Sequence, residues 1–112
     1  FDQWEANYRF ILDASRKANP DLRLVLLDPF VLASGRLSDQ AAFKAKRELV
    51  DRLCVIVAQL AKDYRAVQVK TQEVFDAAAK AVDPDHWIWD GVHPLPQGHE
   101  LIARNWLQQV SA

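Results

Sequence analysis

The chain has no methionine, a single cysteine and no apolar stretch near the ~18 residues that a membrane-spanning helix needs. The missing apolar run excludes a transmembrane helix. The lone Cys54 excludes an internal disulfide. Within Leu53-Cys54-Val55-Ile56-Val57 it reads as a buried structural thiol, since reactive cysteines need an accessible, electropositive setting. Charge of one sign is also lacking: 14 Lys and Arg against 15 Asp and Glu leave a net charge of −1. That balance gives no reason to expect nucleic acid or an anionic membrane as partner. The one basic run, Lys44-Ala45-Lys46-Arg47, is followed at once by Glu48 and Asp51 and reads as a solvated helix face. A chain that opens on Phe1 and lacks methionine is expected to have lost a preceding segment, so no leader and no compartment follow from it.

What is present suits one globular domain at most: 112 residues, 50% hydrophobic and 26% charged. Phe1, Trp4, Tyr8, Ile11 and Leu12 recur at helical spacing and are expected on one buried face, in a helix that Asn19-Pro20 ends. Leu22 to Leu27 reads as a strand covered on both faces, and Leu32 to Leu37 as a loop turning at Ser34-Gly35. Ser38 or Asp39 caps a long helix reaching about Asp63, with Phe43, Val50, Leu53, Cys54, Val57, Leu60 and Ala61 as its apolar stripe. Val67 to Val69 forms a second strand. Thr71 is the candidate cap of a helix over about Gln72 to Ala81. An irregular stretch from Asp83-Pro84 carries His86, Trp87 and Trp89. Pro96 opens a last helix expected to bury Leu101, Ile102, Trp106 and Val110.

Two strands joined by so long a helix should be parallel neighbours. Two parallel strands alone make a poor sheet, because parallel sheets are covered on both faces and usually wider. The fold class is therefore α/β, and the chain reads as a slice of a larger parallel sheet.

The segment Trp89-Asp90-Gly91-Val92-His93-Pro94 carries the chemistry. An imidazole, with an ordinary pKa near ~6.5, suits a general base working near neutral pH. A carboxylate on its other ring nitrogen fixes the tautomer and stabilises the imidazolium that forms. Gly91 frees the backbone for Asp90 and His93 to meet within one turn, and Pro94 holds His93 out of the following helix. Spacing alone leaves a capping Asp beside a surface His as the alternative.

This block, with Gly98-His99 after it, resembles the closing motif of the SGNH (GDSL-type) hydrolases. The stretch from Asn19-Pro20-Asp21-Leu22 to Pro29-Phe30 is similar to the helix-to-strand unit that follows the family's Gly-x-Asn block. The resemblance implies the C-terminal part of a three-layer α/β/α, flavodoxin-like fold. Residues 1–112 would then be the C-terminal portion of a single SGNH hydrolase domain. It implies an ester hydrolase using Ser-His-Asp chemistry without a cofactor, with Asp90 as acid and His93 as base. The family's nucleophile block, oxyanion-hole glycine and Gly-x-Asn segment are absent, so the expected partner is an N-terminal half carrying the serine. This chain alone is expected to be inactive. Trp-Ile-Trp-Asp-Gly-Val-His-Pro is similar to members acting on acetylated carbohydrates. It makes Trp87 and Trp89 candidate substrate-binding residues, and a carbohydrate or short-acyl ester the expected substrate. The rival readings are a non-catalytic α/β binding module and an acyltransferase using the same triad.

The remaining candidates are weaker. Ser34 lacks the Gly-x-Ser-x-Gly context of a nucleophile elbow, and Ser15, Ser38 and Ser111 read as helix, cap and terminus residues. His86, His93 and His99 with Asp83, Asp85 and Asp90 lack the close ligand spacing of a zinc site, so no metal is expected. His86 reads as an exposed loop residue and His99 as a structural hydrogen-bonding one.

Overall fold

The computed structural model describes residues 1–111. Helix α1 (Asp2–Ala18) leads through an Asx turn, in which Asn19 Oδ1 accepts from the Asp21 N–H, to strand β1 (Val25–Leu27). A short 3₁₀ turn (Gly35–Leu37) precedes α2 (Gln40–Asp63). Asp39 caps α2, its Oδ2 accepting from the Ala42 N–H at 3.0 Å, and this settles the choice between Ser38 and Asp39. Strand β2 (Val67–Val69), α3 (Thr71–Ala81), the single turn α4 (Pro84–Trp87) and α5 (Pro96–Val110) complete the order. The two strands pair in parallel, Val25 with Val67 and Leu27 with Val69. No helix among the described residues is long and apolar enough to cross a membrane.

Helices lie on both faces of this small sheet, as the α/β reading requires. On one face Leu26 packs with Leu12 of α1 and with Val57, Leu60 and Ala61 of α2. On the other, α5 lies over β2, and Phe75 of α3 packs with Leu32, Ile88, Leu101 and Ile102. At the carboxyl end of β1, Asp28 is buried and accepts from Gln68 Nε2 at 2.7 Å, which ties the two strands by their side chains. Burial pushes this carboxyl above its ordinary pKa.

Several expectations need correction. β1 is shorter than Leu22–Leu27 and is not covered on both faces: Leu27 is 38% exposed, because α5 covers β2 and leaves this side of β1 open. Leu22 is held outside the strand, its carbonyl accepting from Arg16. On α1 only Leu12 is fully buried, whereas Phe1 and Ile11 are exposed and Trp4 and Tyr8 half-buried. Thr71 is the first residue of α3 rather than its cap, and its buried hydroxyl donates to the Val69 carbonyl. Trp106 is exposed rather than buried. Cys54 is less buried than expected. It is half-buried, donates to the Pro29 carbonyl, and is pushed up to about 12 by burial and by nearby Asp28 and Asp51.

The basic run on α2 holds one residue that is more than solvated surface. Arg47 forks onto both carboxylate oxygens of Asp76 at 2.7 Å. Asp76 accepts from the Gln72 amide, and the same buried side chain closes on Val31, taking its N–H at 2.7 Å and donating to its carbonyl at 3.0 Å. The chain leaving β1 is thereby fixed to α3 and, through it, to α2. Gln72→Leu orphans both backbone groups of Val31 in a buried site, and an unmet buried polar group costs about 1–3 kcal/mol. A loss of stability of about 2 kcal/mol or more is expected, read from urea unfolding of the variant against wild type.

Candidate active site

Asp90 and His93 lie in the segment between α4 and α5, and local backbone geometry brings them together. Ile88 and Pro94 form an isolated antiparallel bridge, and Trp89 N–H donates to the His93 carbonyl at 3.3 Å, so the segment folds back on itself. The reversal turns at Gly91, whose φ of +92° lies in the region that disfavours side chains. The resulting turn aims three donors at one carboxylate. Asp90 Oδ1 accepts from the backbone N–H groups of Val92 (3.0 Å) and His93 (2.7 Å), and Oδ2 lies 2.5 Å from His93 Nδ1.

Burial raises the pKa of Asp90, but the bonds from the His93 ring and from the backbone N–H groups of His93 and Val92 together outweigh it. They bring the carboxyl down to about 2. An ionised carboxylate has no proton to donate, so Nδ1 carries the hydrogen and Nε2 keeps its lone pair when the ring is neutral. The two side chains differ sharply in access: Asp90 is 12% exposed and His93 69%. A shielded carboxylate thus orients an imidazole whose reactive edge is open.

The loop between β1 and α2 supports the pair. Leu32 N–H donates to the Gly91 carbonyl and Ser34 Oγ accepts from the Gly91 N–H, both at 3.0 Å. Gly35, at φ +53°, lies so close that a Cβ there would sit 2.3 Å from the Trp89 carbonyl oxygen and 2.7 Å from Asp90 Cα. Its N–H meets Asp85 Oδ1 at 3.3 Å.

The two tryptophans part company. Trp89 is 55% exposed and stacks beside the His93 ring, with centroids 6.1 Å apart and planes at 24°. Trp87 packs inward instead, its Nε1 donating to the Ala78 and Val82 carbonyls at the end of α3. Residues 84–87 form a helical turn, which separates the two indoles and leaves Trp89 alone beside His93. His86 is exposed and packs edge-on against Trp87. His99 is also exposed, and its side chain makes no hydrogen bond among the described residues, contrary to the structural role expected of it. Among the described residues no three His, Cys, Asp or Glu side chains converge as a metal site. Ser34, which lacks the motif of a nucleophile elbow, lies beneath Gly91, and no local pattern marks that bond because it links positions 57 residues apart.

No sequence model of a known family matches the chain. It is 28% identical over 110 residues to an acetylxylan esterase of Geobacillus stearothermophilus, covering 97% of this chain and 46% of that protein. A structure described as a GDSL-like lipase from Parabacteroides merdae superposes with a TM-score of 0.88 at 26% identity, over 98% of this chain and 49% of that one. The structure of Axe2, an acetylxylan esterase from Geobacillus stearothermophilus, gives a TM-score of 0.79 at 28% identity, over 99% and 47%. Axe2 variants described as catalytic mutants replace a serine, an aspartate and a histidine by alanine. That aspartate and histidine stand three positions apart, the spacing of Asp90 and His93. The chain is thus related over nearly its whole length to SGNH/GDSL-type carbohydrate esterases, and its α/β fold is theirs. It spans about half the length of the relatives it matches.

The three bonds to Asp90 generate a direct test. Its folded pKa lies below the ordinary 3.8, so the bonds contribute stability that is complete above that pH and is lost as pH falls toward 2. A carboxyl-carbon NMR titration should show Asp90 ionising with a midpoint near 2.

Proposed function

We propose that the chain supplies the acid and base of an ester hydrolase, Asp90 and His93, to a serine nucleophile carried outside it. The observation that supports this most is the pair itself: a shielded, ionised carboxylate on Nδ1 and an exposed Nε2. His93 Nε2 takes the serine proton as the serine oxygen attacks the ester carbonyl. The imidazolium then gives that proton to the departing alcohol, leaving an acyl-enzyme. Water repeats the sequence and releases the carboxylic acid. Asp90 holds the tautomer throughout. The oxyanion donors come with the nucleophile.

The chain's own serines do not suit the nucleophile's role. Ser15, Ser38 and Ser111 each bond a carbonyl three or four residues back, and Ser34 is buried beneath Gly91. Residues 1–112 are on this reading the C-terminal portion of one hydrolase domain, and the open side of β1 is where the remaining sheet joins. The residues flanking β1 bond to β2, through the Leu24 carbonyl and the Asp28 N–H, so the backbone groups of Val25 and Leu27 face away, as they do beside a further parallel strand. The half-length match to the esterase relatives supports the same division.

For substrate, an acetylated or short-acyl carbohydrate is the best supported class. The relative from Geobacillus stearothermophilus is described as an acetylxylan esterase, and the exposed face of Trp89 beside His93 offers a stacking platform for a sugar ring. An Axe2 variant replaces the tryptophan directly before its aspartate, the place Trp89 occupies relative to Asp90 here.

In the complete protein, His93→Ala should lower kcat on p-nitrophenyl acetate or an acetylated xylo-oligosaccharide by roughly 10³-fold or more, because base and nucleophile act as a unit. Asp90→Asn should also cost heavily through the wrong tautomer, and residues 1–112 alone should show no turnover. Near wild-type kcat in His93→Ala overturns the assignment.

A further inference from the structure

We propose that Ser34 is a positioning residue for the Asp90–His93 pair, its buried hydroxyl holding the Gly91 N–H between the two. Ser34 is fully buried and accepts from that N–H at 3.0 Å, across 57 residues of sequence. Leu32 takes the other polar group of the same residue, its N–H donating to the Gly91 carbonyl at 3.0 Å. The peptide planes on both sides of Gly91 are therefore fixed by the β1–α2 loop. Those planes decide where the Asp90 side chain starts and where the Val92 and His93 N–H groups point. Asp90 Oδ1 accepts from both of those groups, so the orientation of Gly91 sets the orientation of the carboxylate that holds the imidazole.

The support beneath Ser34 is itself rigid. Ser34 N–H donates to the Leu32 carbonyl at 2.9 Å, and Val31 is fastened at both its polar groups by Gln72. From Gln72 the connection continues to Asp76 and the forked Arg47. The other serine in the loop is different: Ser38 is exposed, and its hydroxyl donates to the Gly35 carbonyl within its own turn. Without an acceptor at position 34, the buried Gly91 N–H has no partner, and rotation of its peptide to find one carries Asp90 with it.

The inference rests on reading Asp90 and His93 as acid and base, but its readout is titration rather than turnover, so the two fail independently. The complete protein is compared as wild type, Ser34→Ala, Ser34→Cys and Ser38→Ala. NMR follows the Asp90 carboxyl and the His93 ring nitrogens. In Ser34→Ala the Asp90 midpoint is expected to rise from about 2 toward 3.8, with the fixed Nδ1–H tautomer giving way to a mixture. Ser34→Cys keeps the shape with a weaker acceptor and should shift less. It also serves if the alanine variant does not fold. Ser38→Ala should leave both signals in place. Unchanged Asp90 and His93 signals in folded Ser34 variants, or an equal change in Ser38→Ala, overturn the proposal.

Discussion

The site depends on one cross-loop pairing, that of Gly91 with Leu32 and Ser34. Neither participating segment has a regular element to hold it. The chain between β1 and α2 contains a single 3₁₀ turn, and the segment between α4 and α5 contains one isolated bridge. Each such hydrogen bond adds only about 1 kcal/mol net, but leaving a buried backbone group unmet costs more than making the bond gains. Pairing the two loops through Gly91 therefore selects one arrangement out of many. The close approach of Gly35 to the Trp89 carbonyl is possible only without a side chain there. The Asp90–His93 contact follows from this arrangement, since three donors converge on one carboxylate only when the turn at Gly91 is held.

Electrostatics and access then divide the labour between the two side chains. Asp90 stays ionised because its bonds outweigh its burial, and it is shielded enough for those bonds to persist. His93 presents its outer edge to solvent, with Trp89 alongside. The free edge of β1, where the backbone groups of Val25 and Leu27 face away from β2, provides the matching structural opportunity.

Much of this was legible in the sequence. The two strands, the α2 span to Asp63 and the start of α5 at Pro96 follow from strong local signals: short apolar stretches, an Asp cap, and Pro at a first turn. The three-residue spacing and the turn at Gly91 were legible because they act locally, whereas the bonds that hold that turn were not. What escaped was non-local. Ile11 and Phe1 match the helical period of Leu12, yet period alone does not say how wide the covering surface is, and only Leu12 is fully buried. Trp106 failed for the same reason. Nothing in the irregular stretch told Trp87 from Trp89, and a single helical turn separates them. The Arg47–Asp76–Gln72–Val31 connection and the Ser34–Gly91 bond join distant positions that no pattern in the chain marks.

The central claim is that His93 serves a serine from outside these residues, and covalent labelling tests it most directly. The complete protein is treated with a fluorophosphonate, digested, and the modified serine located by mass spectrometry. The account predicts one adduct, on a serine other than Ser15, Ser34, Ser38 and Ser111, formed rapidly in wild type and lost in His93→Ala. An adduct on one of those four serines, or labelling indifferent to His93, would contradict it.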